Sequence, residues 1–425
     1  MNILKQNIQS ALIQFTSQIL TLILFLVLTP VYLKNWEPEE YRNWILLLII
    51  FQVIEVFDLG QIVATINRVS RVLGESTKTK QDLIRNSAKA LVTIDVYLGA
   101  LIAVLIILVL ATNSQTSLIL ICFIFLLNSI TNHWFGFILN LSRVVGDQRK
   151  SFILGGFYAF LQSCVWALAA YLHKPILFSA IFGLVFCILF LFFSFFVLLS
   201  DEFRIAIVQS FSRFPSVHSL SQSIRAANYS FFLNTLISLL SANGYAVIAS
   251  IFVGPSIFIS YTVLKTISRT LITSSIAIGN SYWNLFAKIR GDNSAIKGLA
   301  SNLIKITLVT IFFEATVVIL FTKSFLEAWS GNTIVFDFSL MLLLVVYSII
   351  GALAFSFRYI FFGISEEEFV VKIGSITLLL GLFLSAWFGS SKGVLGILCG
   401  QVVSEIILLL GLGIRFRKIT QLRRV

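Results

Sequence analysis

The sequence predicts an all-α integral membrane protein whose twelve transmembrane helices divide into two six-helix lobes. Three observations carry that reading. Of 425 residues, 58% are hydrophobic and only 12% are charged, whereas soluble domains run at about 25% charged, and the mean hydropathy is +0.96 over the whole length. The apolar stretches are long, which excludes a membrane β-barrel, whose strands are ~10 residues of alternating polarity. The longest central polar insert, residues 200–227, leaves six apolar runs on either side.

A bilayer core of about 30 Å needs about 20 helical residues. Runs of suitable length occupy approximately 8–33, 41–66, 90–111, 117–141, 152–172 and 175–199 before the insert. After it they occupy 228–252, 256–285, 299–322, 336–362, 373–388 and 393–414. The first run is too long for the apolar region of a signal peptide. Its Ser10, Gln14, Gln18 and Thr21 recur at helical spacing, so it reads as a retained helix with one polar stripe. Gly254 and Pro255 open the eighth run, Gly396 and Gly400 give a GxxxG packing pair in the twelfth, and Trp36, Tyr41, Trp44 and Trp329 near span ends suggest an interfacial belt.

These runs assign residues 1–199 to an N-terminal lobe, 200–227 to a cytoplasmic connection, and 228–425 to a C-terminal lobe ending in a basic cytoplasmic tail. Two halves entering in the same direction imply a pseudo-symmetry axis along the membrane normal. Most of the 31 Lys and Arg fall in the segments that are inside if the N-terminus is cytoplasmic, while the outer loops hold only Lys34, Arg42, Lys174, Lys323 and Lys392. The positive-inside rule therefore places both termini in the cytoplasm.

A net charge of +12 invites a nucleic-acid reading, but such binders cluster their cations on a solvated face. Here the cations sit in short segments between apolar runs, so no nucleic-acid partner is expected. Cys122, Cys164, Cys187 and Cys399 all lie inside apolar runs and read as small buried hydrophobes. His133, His173 and His218 are too far apart in sequence for a local metal motif. We expect neither metal nor other cofactor. The sequence has no GxxxxGK[ST] phosphate loop and no long extramembrane segment, so ATP hydrolysis and a separate catalytic domain are not expected, and no catalytic residue is assigned.

Ionisable residues inside spans are costly, ~2.5 to 3.5 kcal/mol each on the mildest scale, and so mark functional sites. The eighth span holds Lys265 and Arg269, one turn apart on one face and about 15 and 21 Å from Pro255. They must face a cavity, a countercharge or an anionic ligand. Span two carries Glu55 and Asp58, with Arg68 at its cytoplasmic mouth; Asp95, Glu314 and Glu405 complete the deep acids. These five are coupling candidates, since deep acids in transporters carry protons or cations, or else charge partners of Lys265 and Arg269. Lys305 and Arg358 lie near span ends, where long side chains reach the interface.

The polar first helix, the Phe57-Asp58-Leu59-Gly60 and Asn67-Arg68-Val69-Ser70-Arg71 segments of span two, and the run from Tyr261 to Arg269 together resemble the Wzx-type polysaccharide (O-antigen) flippases. These belong to the polysaccharide transporter branch of the multidrug/oligosaccharidyl-lipid/polysaccharide exporter superfamily. The resemblance implies two pseudo-symmetric six-helix lobes around a central cavity. It also implies movement of an undecaprenyl-pyrophosphate-linked oligosaccharide from the inner to the outer leaflet of a bacterial cytoplasmic membrane, with an ion gradient driving alternating access. The implied partners are that lipid-linked oligosaccharide, membrane lipids and the polysaccharide polymerase machinery. Family members often carry an acid in the seventh span near Asn243-Gly244-Tyr245, and this chain has none.

On this reading Lys265, Arg269 and Arg68 bind the pyrophosphate, while Gln14, Gln18 and Asn128 hydrogen-bond sugar. A drug or metabolite antiporter of the same superfamily would share the topology, but a cationic drug is better served by an acidic cavity. A membrane oligosaccharide polymerase or ligase would need a substantial outer loop bearing catalytic groups, and the outer loops here are short.

Overall fold

The computed structural model describes residues 28–55, Ile62, Thr65, Val69, 76–112, 116–145, 148–172, 175–211, 229–289, 292–330 and 334–421. Twelve helices are defined in them: α1 (Pro38–Glu55), α2 (Thr77–Thr112), α3 (Thr116–Val145), α4 (Gln148–Tyr171), α5 (Ile176–Leu198), α6 (Asp201–Ser210), α7 (Tyr229–Phe252), α8 (Pro255–Ser268), α9 (Thr270–Lys288), α10 (Asn293–Ser330), α11 (Phe338–Gly363) and α12 (Glu367–Gln421). No strand occurs among the described residues. Six helices are long and apolar enough to cross a bilayer: α4, α5, α7, α10, α11 and α12. Their outward faces are apolar, with Phe192, Phe193 and Phe196 exposed on α5 and Val309, Phe312 and Phe313 on α10. The chain is a multi-pass membrane protein.

These helices follow the predicted spans in order, with two differences. The eighth predicted span is interrupted at Arg269, between α8 and α9, although that residue keeps right-handed helical backbone angles. The last two spans are the two parts of α12, separated as expected near Gly393, whose φ of +57° is a left-handed conformation that glycine adopts without a Cβ penalty. The insert after residue 199 is not all loop: α6 occupies its first part, with acidic Asp201 and Glu202 in the first turn, where the helix dipole favours them.

Two compact units divide the chain, the first ending at Leu236 and the second beginning at Ile237, so the boundary falls inside α7. In the first unit α5 packs on α3 and α4, and α2 packs on α3 and α6. One core is built from Ile84, Ala88, Leu91, Phe137, Ile138, Leu141, Ala206 and Ile207, and a neighbouring one from Phe135, Leu139, Tyr158, Cys187 and Phe190. Tyr32, Trp36, Tyr41 and Trp44 are buried here and stack on one another and on Phe125 and Trp166. They do not form the outward-facing belt expected from their place near span ends.

In the second unit α11 is central, packing against α8, α9, α10 and α12. Gly254 and Pro255 start α8 with proline at a first-turn position whose N–H has no helical partner. Asp337 caps α11 by accepting from Leu340 N at 3.1 Å. Buried hydroxyls tie three helices together: Ser275 of α9 donates to Ala352 O at 2.6 Å, and Ser356 of α11 lies 3.1 Å from both Ser275 and Thr307 of α10. Such small polar residues let membrane helices approach while satisfying each other's hydrogen bonds. Gly396 and Gly400 serve the same close approach, since an added Cβ would strike the backbone at Phe388 and Ser385 respectively.

Candidate functional site

The site is built on α8 and its junction with α9. Phe258, Tyr261, Val263, Leu264, Lys265, Ile267 and Ser268 are all buried, so α8 is enclosed over most of its circumference and Lys265 does not face lipid. Lys265 Nζ donates to the carbonyl of Ala242 on α7 at 2.6 Å and lies 5.4 Å from the Tyr261 ring centre. The Tyr261 hydroxyl is buried without a partner. Arg269, by contrast, is exposed although its neighbours Ile267, Ser268 and Leu271 are buried.

The helix breaks at Arg269 because hydroxyl side chains compete for its carbonyls. Thr262, Thr266, Ser268 and Thr270 donate to Phe258 O, Thr262 O, Lys265 O and Ile267 O at 2.6, 2.8, 3.0 and 2.9 Å. Back-bonding of this kind bends helices. The interruption is confined to Arg269, whose N–H still donates to Lys265 O and whose carbonyl still accepts from Thr273 N, both at 3.0 Å.

Near Arg269 lies a polar cluster drawn from α7, α11 and α12. Tyr347 on α11 is within electrostatic range of Arg269, Glu405 and Tyr245. The Tyr245 hydroxyl is 3.1 Å from Ser404 Oγ. The amide of Gln401 is fully buried beside the Tyr347 hydroxyl. Glu405 has Arg358 as its cationic neighbour. Arg358 is buried rather than reaching the interface as its position near a span end suggested; its Nη1 donates to Ser238 Oγ at 3.3 Å and its guanidinium carbon lies 4.6 Å from the Phe355 ring centre. Lys305 is exposed, as expected.

The charge count of this cluster is therefore unequal. Three cations, Lys265, Arg269 and Arg358, share one described carboxylate, Glu405, and it is associated with Arg358. No described carboxylate lies within ion-pair distance of Lys265 or Arg269, although Glu405 was one of the partners the sequence offered for them. The other described deep acids are engaged elsewhere. Glu314 on α10 accepts from Ser274 on α9, and its second oxygen is buried without a partner. In the first unit Asp95 on α2 meets His133 on α3 at 2.7 Å. Asn128, also in that unit, is buried with an unpartnered side-chain oxygen. Gln14, Gln18, Asp58, Arg68 and the side chain of Glu55 lie outside the described residues.

Sequence reasoning missed Tyr245, Tyr347, Gln401 and His133. The tyrosines carry no charge to mark them, and His133 was weighed only as a metal ligand. Cys187 is buried against Tyr158 and Asn132, whereas Cys399 is exposed, contrary to the expectation for it.

No protein-family model matches the sequence, and no curated protein is significantly similar to it. Solved structures share its fold. An inward-facing multidrug-resistance MATE transporter of the MOP superfamily superposes with a TM-score of 0.73 at 15% identity, covering 98% of this chain and all of that one. A mutant MATE transporter from Vibrio cholerae gives 0.66 at 16% identity over 100% and 98% of the two chains. A MOP-superfamily transporter from Pyrococcus furiosus, whose description is that reverse polarity of its binding pocket suggests a different function, gives 0.68 at 14% identity over 98% and 97%. The fold is thus the MATE transporter fold over essentially the whole chain.

Proposed function

We propose that this protein is a MOP-superfamily flippase that carries a polyprenyl-pyrophosphate-linked oligosaccharide across the bacterial cytoplasmic membrane by alternating access, for surface-polysaccharide assembly. The observation that carries this reading is the pair Lys265 and Arg269, beside which no described carboxylate lies within ion-pair distance. A pyrophosphate is a compact anion, and at an effective dielectric near 20 a cation ~4 Å away attracts each unit charge by ~4 kcal/mol before desolvation is subtracted. Arg269 offers a planar fork that matches phosphate oxygens two at a time. The neighbouring hydroxyls of Tyr245, Tyr261 and Tyr347 supply donors for an anion or a sugar.

Inward- and outward-facing structures exist for transporters of this fold, which supports the alternating-access part of the proposal. The multidrug neighbours make a drug antiporter the competing function. A cationic drug would meet Lys265 and Arg269 with like charge, and the Pyrococcus protein shows that pocket polarity is a property that varies on this fold. The deciding experiment is a deletion strain with labelled sugar precursors. Complete lipid-linked oligosaccharide should accumulate on the cytoplasmic leaflet and surface polymer should vanish; normal surface polymer in a strain with no second transporter would refute the proposal.

A further inference from the structure

The first unit contains a pair of titratable side chains that the anion site does not use. Asp95 and His133 come from facing helices and are 5% and 2% exposed. His133 Nδ1 lies 2.7 Å from Asp95 Oδ1, while Asp95 Oδ2 is buried with no partner. One helical turn before His133, the Ser129 hydroxyl is fully buried and likewise unpartnered.

The described helices packed most closely on α2 are α3 and α6. From α3, His133 and the Trp134 indole face the carboxyl; Arg143 lies about 15 Å further along the axis. From α6, Asp201 is exposed and tied to Arg204, and Glu202 is exposed. On α2 itself, Arg85 is paired with Asp82, and Lys89 projects from a different face of the helix. His133 is thus the titratable group that faces Asp95 among the described residues.

The contact between the two side chains exists in either of two protonation states. With a carboxylate and a neutral imidazole whose Nδ1–H donates, the pair carries one negative charge. With one more proton, on the imidazole, the same contact persists as an imidazolium–carboxylate pair and its net charge is zero. Only the net charge changes, and a net charge is far more costly to enclose than a neutral pair.

We infer that Asp95 and His133 form a binding site for one exchangeable proton, held while α2 and α3 shut water away from Asp95 Oδ2 and released when water reaches it. The proton comes from water and returns to water, with no other bond made or broken. The pair uses neither Lys265 nor Arg269, and it works for any solute the protein carries.

The test uses the full chain in lipid bilayers with ring-labelled histidine. Solid-state NMR should show the His133 ring changing protonation between mildly acidic and mildly alkaline pH, its signal identified by its loss in H133Q. In D95N, which keeps the shape and removes the counterion, the ring should remain neutral throughout; D95E should restore the titration and guards against misfolding of the Asn variant. A second measurement imposes a pH gradient on proteoliposomes in sodium-free buffer and follows a lipid-linked oligosaccharide. Gradient-driven accumulation should be lost in D95N while downhill movement survives. Invariant His133 signals in the native chain, the same titration in D95N, or undiminished gradient-driven accumulation in D95N would each overturn the proposal. Absence of all transport by the native chain alongside a normal His133 titration would count against the substrate and leave the proton site standing.

Discussion

Lys265 and Arg269 lie one helical turn apart, yet only Lys265 is tethered: its Nζ holds the Ala242 carbonyl at 2.6 Å, while Arg269, at the α8–α9 junction, has no described carboxylate beside it. One cation braces the site and the other is free to meet a ligand.

Accordingly, Arg269→Gln should reduce transport by about tenfold or more, the equivalent of one lost charged hydrogen bond of ~1.5 to 3 kcal/mol. Protein abundance in the membrane should stay near normal, because no described carboxylate loses an ion-pair partner. Arg269→Lys should retain part of the activity, since it keeps the charge and loses the fork. Immunoblots of membranes and a surface-polymer assay read both quantities. Loss of the Gln variant from the membrane, reversed by adding Glu405→Gln, would instead make Arg269 a structural countercharge.

Arg358 and Glu405 behave oppositely. Arg358→Met leaves Glu405 enclosed without its cation and should destabilise the protein by about 3 kcal/mol or more, seen as reduced abundance and a lowered melting temperature. Combining it with Glu405→Gln should recover most of that loss. A double variant no better than the single one would show that the two charges do not support each other.

Much of this architecture is visible in the order of residues, because a bilayer imposes one dominant rule and long apolar runs obey it. Every predicted span from the second onward has helix among its described residues. What escaped depends on weaker or non-local forces. The interruption at Arg269 has no Pro or Gly to announce it; it falls where several hydroxyls bond backwards, each ordinary alone. Helix α6 could have been found, since Phe203, Ala206, Ile207 and Ser210 repeat at helical spacing and three of them are buried, but ten residues are too few to register beside spans of twenty. The Asp95–His133 contact joins positions 38 apart, a distance at which sequence spacing carries no information.

The glycines of α12 give a stability test free of charge effects. Gly400→Ala would press a methyl group onto the Ser385 amide, and Gly381→Ala onto Tyr245 and Ser404. Each should cost roughly 1 to 3 kcal/mol, the usual penalty of overpacking. Gly413→Ala, where nothing lies within 4 Å, should be neutral or slightly stabilising, as Ala favours helix. Thermal denaturation in detergent compares the three directly; equal melting temperatures would mean that the helices part easily here.

Topology has a separate check. The distribution of Lys and Arg puts Val425 in the cytoplasm and Gly331 outside. Alkaline phosphatase should be inactive when fused after Val425 and active when fused at Gly331. The reverse pattern would invert the direction of every proposed movement.

Helix α10 runs without interruption for 38 residues, about 57 Å at 1.5 Å per residue, close to twice the apolar thickness of a bilayer. A rod of that length acts as a lever. If it pivots by about 10° about its middle, each tip travels ~5 Å, given its half-length of ~28 Å. Small rearrangements around the buried Thr307 and Ile311 would thus be magnified at the exposed Lys297 and Glu327, which makes those two positions the natural places for paired spin labels.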